Sequence, residues 1–327
     1  MIWFTLREHR AQLVAMAVAA ALLAIGLAVM GTYAAAQRVA LGVDTCVPLP
    51  NTNANCVDLS VEWQRRIGQA PLLVAALLLA PGLAASFIGG PLFGATFERG
   101  THRLGLTQAI TRVRWTATKI GIALAITLAC AVVLAQFGWA ALALNTTGLT
   151  GGIRDAFAVF DVDGPPLVGY GLFGIAVGGL MGAISRRALT GMFLGLLVFA
   201  AARGFVSAEL RPNYEPPLVA YGNTMSGGAL SAPPKAWVLH QTTVDAQDRP
   251  IDFRDENRLM QGFSESVRAG GPTDMGAYLA TLGVRERFVY QPAERYAKFQ
   301  WIEFGLFTGL AAGCAILTIT LIRRRDA

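Results

Sequence analysis

Apolar residues gather in six long runs along this chain, at about 11–34, 71–93, 120–144, 167–184, 189–206 and 299–322, and most of the charge lies between them. A helix rises about 1.5 Å per residue and the hydrocarbon core of a bilayer is about 30 Å thick, so roughly 20 apolar residues make one crossing. The pattern predicts an all-α polytopic membrane protein with six transmembrane helices. The polar residues Ser185, Arg186 and Arg187 separate the fourth and fifth runs, which predicts a tight hairpin. The first run is longer than the apolar core of a cleaved signal peptide and reads as a retained span. Ahead of it, Trp3 and Leu6 with Arg7 and Arg10 read as an interfacial elbow helix over Met1 to Arg10, although an ordinary anchored terminus fits as well.

Charge then suggests an orientation. With both termini cytoplasmic, the inner side holds Arg7, Arg10, Arg99, Arg103, Arg112, Arg114, Lys119, Arg186, Arg187 and Arg323 to Arg325, against Glu8, Glu98 and Asp326. Positive charge near span ends resists translocation, so this arrangement is the expected one. The net charge of +6 and pI near 9.4 then reflect orientation and anionic lipid rather than nucleic acid. Only 15% of residues are charged, against about 25% in soluble domains. Trp63, Trp115, Trp139 and Trp301 fall near span ends, as an aromatic belt would place them.

The chain accordingly divides into residues 1–206, with the elbow and five spans; 207–298, an extracytoplasmic cap; and 299–327, the last span and a basic tail. The cap begins Pro-rich, shows helical patterning from Glu256 to Leu282, and has a possible hairpin at TVDAQDRPID. Trp237, Phe253, Phe263, Tyr278 and Phe288 offer it a small core. In the second outer loop, IRDAFAVFDVDG is a candidate short surface helix. Cys46 and Cys56 share the first outer loop, where an oxidising compartment would allow a disulfide. Cys130 and Cys314, inside spans, read as small packing residues. Glycines recur every four residues at Gly90 and Gly94, at Gly174, Gly178 and Gly182, at Gly191 and Gly195, and at Gly305, Gly309 and Gly313, as close helix packing in lipid favours.

Catalytic patterns are missing. His9, His102 and His240 lie far apart, and no G-x-x-x-x-G-K-[ST] loop is present to cradle ATP phosphates. Arg203 and Glu303 are the charges placed at or in spans, near the outer ends of the fifth and sixth. Either they pair and gate the outer mouth, or each reaches the headgroups separately.

The basic segment Gly94 to Lys119 lies between the second and third spans. Its residues Phe97-Glu98-Arg99-Gly100-Thr101, followed by Thr111-Arg112 and Lys119, resemble the cytoplasmic connection of type-2 ABC exporter permeases. Tyr290 to Tyr296, with Phe299 to Glu303, resembles an actinobacterial branch of that family, and the similarity spans nearly the whole chain. The resemblance implies a half-transporter in the bacterial cytoplasmic membrane, working with two ABC ATPase subunits and a second permease, often a copy of itself. ATP and Mg would be bound by the ATPase, with no cofactor held directly and no enzyme activity in this chain. A coupling helix at about 94–119 would meet the ATPase through Glu98, Arg99, Gly100, Thr101, His102, Arg103 and Arg112. Thr101 suits a helix cap, with Gly100 permitting the preceding turn. Inner-leaflet anchoring also explains basic residues here, above all Arg114 and Lys119.

Because the glycine- and aliphatic-lined spans read as lacking buried charge, the expected cargo is hydrophobic or amphipathic: a drug, an antibiotic or a lipid-like compound. A membrane sensor or immunity protein with a ligand-binding cap shares this topology. A membrane enzyme would need its site in the cap, where His240 is the single histidine.

Overall fold

A computed structural model describes residues 2–42, 54–100, 111–144, 156–222, 236–251 and 253–325. Six of its helices are long and apolar enough to cross a membrane. They are α1 (Ile2–Leu41), α3 (Leu72–Glu98), α4 (Arg112–Ala135), α6 (Pro165–Ser185), α7 (Ala188–Asn213) and α10 (Tyr296–Arg325). Two shorter helices, α2 (Ala54–Ile67) and α5 (Gly138–Leu144), lie at the end of the bundle that carries the cap. The chain is thus a multi-pass membrane protein of predominantly helical fold.

The central helix is α6, buried along most of its length, with α3, α4, α7 and α10 packed around it. Small residues permit this closeness, because backbones meet in lipid where side chains do not hold them apart. A Cβ on Gly178 would overlap the carbonyl oxygen of Ala85 in α3, and one on Gly182 would overlap that of Gly90. The recurring glycines Gly90 and Gly94 of α3, Gly174, Gly178 and Gly182 of α6, and Gly191 and Gly195 of α7 therefore serve packing. Gly305, Gly309 and Gly313 of α10 do not, since a Cβ on any of them would meet nothing within 4 Å.

Helix α3 is not a uniform α-helix. Pro81 lacks the N–H that would reach back one turn, and residues Ala85–Gly89 form a π-turn before helix resumes at Gly90. A second π-turn, Val206–Leu210, carries α7 four residues beyond its expected end and into a 3-10 turn at Arg211–Asn213.

Several expectations change. The first ten residues are not a separate elbow; from Ile2 they continue into α1 without a break. The third span ends at Ala135, and the residues beyond it form α5. Trp63 and Trp115 are buried, whereas Trp139 and Trp301 are exposed as a belt requires. Trp63 packs inside the cap-end core and donates its indole N–H to Ala34 O.

The cap adds strands to the helical plan. β1 (Leu218–Gly222), β2 (Trp237–Val244) and β3 (Arg285–Gln291) form an antiparallel sheet in the order β1-β3-β2. After β2 the chain folds back, and Val244 bridges to Pro250 across the turn expected for TVDAQDRPID. Helices α8 (Phe253–Arg268) and α9 (Met275–Thr281) replace the single helical stretch, and Phe263 meets Tyr278 between them. Of the segment IRDAFAVFDVDG, the described residues from Ala156 onward are not a surface helix. Their 3-10 turn Ala156–Val159 leads Phe157 and Phe160 into a buried cluster with Trp237, Tyr296 and Phe299.

Candidate functional site

Two regions gather charged residues around the spans, one at each end of the bundle. At the basic end, α3 stops where Arg99 N–H reaches Ala95 O and Gly100 N–H reaches Phe97 O. Gly100 has φ +69°, the left-handed conformation that ends a helix at little cost only for glycine.

Neighbouring helices then fix the end of α3. The Glu98 carboxylate accepts the backbone N–H of Ala188, 2.9 Å away, at the start of α7. Arg187 offers α7 no side-chain cap, so Glu98 satisfies an orphan donor and places negative charge at a helix N-terminus. On the other side, Lys119 of α4 is buried and donates to Thr96 Oγ1 of α3 at 2.6 Å, with its ammonium 5.0 Å from the Trp115 ring. The anchoring expected of Lys119 is therefore replaced by an internal tie, while Arg114 remains exposed.

Arg99 is exposed beyond these ties, and Arg112 is half-buried at the first turn of α4. Thr111 caps that helix by accepting Arg114 N–H. Thr101, His102 and Arg103 lie outside the described residues, as does Cys46; the Cys56 side chain is likewise not described, so the expected disulfide falls outside too.

At the cap end, charges converge from the whole bundle. Glu303 of α10 is fully buried; its carboxylate accepts Arg211 Nε at 2.9 Å and Nη2 at 2.7 Å, together with the Tyr170 hydroxyl and the Tyr214 hydroxyl at 3.3 Å. Arg211 Nη2 also reaches Asp161 at 2.5 Å. Arg203 pairs with Asp161 at 3.2 Å and donates to the Leu78 carbonyl of α3 at 3.3 Å. Arg203 and Glu303 are thus not direct partners; Asp161 and Arg211 stand between them. Burial acts to raise the Asp161 carboxyl, but the charges of Arg211 and Arg203 prevail and hold it below the usual carboxylate range.

Sequence reasoning left Asp161, Tyr170, Arg211 and Tyr214 out of this site. Arg211 precedes Pro212, an ordinary stop signal, and only the π-turn brings it back over the bundle. Asp161 belongs to a loop whose neighbouring phenylalanines were the available sign that it folds inward. Among the described residues, no group of three or more His, Cys, Asp or Glu is arranged to hold a metal ion.

The ABC-2 membrane transporter related profile matches residues 13–211, from the first spanning helix through the fifth and including both π-turns. This chain belongs to that family. As an ABC-2 family member it is a permease-type membrane component of an ABC transporter, a role that depends on ATPase partners. The match encloses the tied end of α3 and the segment leading to α4, while the cap and α10 lie outside it. No curated protein and no solved structure matches the chain.

Proposed function

We propose that this ABC-2 permease is half of an ATP-driven exporter in the bacterial cytoplasmic membrane, with its basic end and both termini in the cytoplasm. Two ATPase subunits dock there, and a second copy completes the membrane path. The family match through the α3–α4 connection is the observation that carries this reading. Arg99, exposed beside the left-handed Gly100, and Arg112 across the connection are the docking charges. Glu98 and Lys119 act differently: they fix α3 to α7 and α4, so a push on the connection reaches three spanning helices at once. Buried charge does occur in the spans, at Arg211 and Glu303 towards the cap end and at Lys119 towards the basic end. Arg211 and Glu303 are paired and Lys119 is tied to Thr96, and the apolar stretches between them fit a hydrophobic or amphipathic cargo. Cargo leaves outward, beneath the cap.

The test is co-purification with the ATPase encoded beside it, comparing wild type with Arg99→Glu. Retention of an active ATPase by wild type, and its loss in Arg99→Glu at unchanged thermal stability, is expected. A wild-type protein that retains no ATPase overturns the reading in favour of a membrane sensor. Stimulation of ATP hydrolysis by hydrophilic compounds alone would overturn the cargo class.

A further inference from the structure

Between α1, α3, α4 and α6 lies a cavity of about 640 Å³, at the depth of the bilayer. Its wall is almost entirely hydrocarbon. The polar groups among its lining are already engaged: the Thr127 hydroxyl faces the Met16 sulfur at 3.8 Å, and Gln12 Oε1 lies 3.0 Å from His9 Nδ1. An apolar cavity of this kind does not hold water, which needs polar partners. It does fall within the range of roughly 300–1,000 Å³ typical of small-molecule sites.

The opening faces lipid. Ala15 and Ala19 of α1, with Leu83 and Phe87 of α3, line the cavity and are also exposed on the bundle surface, so it opens sideways between α1 and α3. Along α3 it runs from Ala76 to Ile88, about 18 Å at the helical rise and more than half the hydrocarbon thickness. A single flexible hydrocarbon chain matches that apolar length. Gln12, the one lining side chain with an amide, sits towards the basic end.

We propose that this cavity binds one hydrocarbon chain of a membrane phospholipid, entering sideways between α1 and α3 with its headgroup towards the basic end. Recognition is by shape and dispersion, since no lining charge selects a headgroup. The chain lies against Pro81 and the π-turn residues Phe87 and Ile88, where the regular hydrogen bonding of α3 is interrupted. A bound lipid therefore supports the π-turn of the helix whose far end carries Glu98 and Arg99. This site does not depend on the transport reading.

The test uses the full chain in detergent-free nanodiscs of phosphatidylethanolamine and phosphatidylglycerol. These are doped with a phosphatidylcholine bearing a diazirine near the end of one acyl chain, and no ATPase is present. After illumination, adducts are mapped by peptide mass spectrometry. Labelling is expected at Cys130 and Leu134 inside the cavity as well as at the outward-facing Val18, Leu22 and Leu79. In Ala80→Phe, which fills the cavity, the Cys130 and Leu134 adducts should be lost and the outward ones kept. Ala19→Phe on the opposite wall provides the same reading should Ala80→Phe fail to fold. Labelling confined to the outward residues in wild type overturns the proposal, including where a second copy seals the opening. So does interior labelling that both filled variants leave unchanged.

Discussion

A carboxylate inside a membrane protein persists only where cations and hydroxyls replace its water, and Glu303 meets that condition with Arg211, Tyr170 and Tyr214. Removing one partner of such a buried pair costs more than the pair contributes, because the other charge is left without compensation. Glu303→Gln should therefore destabilise the detergent-solubilised protein by about 3–5 kcal/mol, read by thermal unfolding. Arg211→Met combined with Glu303→Met should recover part of that loss, since neither charge is then orphaned. Asp161 gives the pH dependence. Its folded pKa lies below the ordinary 3.8, so its stabilisation is present above that value and lost as pH falls through the lower folded one. The stability of wild type over Asp161→Asn should be flat at neutral pH and shrink only below about pH 4.

Helix α3 is both closely packed and interrupted by a π-turn. Its glycines seat it against α6 and α7, and Gly178→Val should cost about 1–3 kcal/mol through the clash with Ala85, or more if the helices separate. At the basic end, Glu98→Gln keeps a hydrogen-bond acceptor near Ala188 but removes the charge at the start of α7. The expected stability loss is about 0.3–1 kcal/mol, measured by the same unfolding assay, with ATPase retained on co-purification. Loss of the ATPase at unchanged stability would make Glu98 a docking residue as well. The pattern of the sequence marked this helix by its apolar length and by Gly100. The π-turn was not visible, because one extra residue per turn leaves a uniformly apolar run looking the same.

Across the whole molecule, the cap is joined to the bundle by rings and ions. Phe157 stacks on Trp237 of β2 and meets Tyr296 and Phe299 of α10. Glu215 pairs with Arg295 and Lys298. Phe157→Ala should loosen this joint by about 3–5 kcal/mol and speed protease cleavage in the cap before the spans unfold. Six crossings, the hairpin at Arg186 and the basic segment after α3 were legible in the sequence. A bilayer fixes how many apolar residues one crossing needs, and close charges are local signals. The cap sheet was not legible, since β1 and β3 pair across more than sixty residues and neither alone differs from loop. Nor was the ionic cluster. Asp161, Tyr170, Arg211 and Glu303 come from separate segments and meet only because a π-turn, an inward-folded aromatic loop and two helices converge. Local hydrophobicity therefore determined the spans, and long-range packing decided which charges are partners.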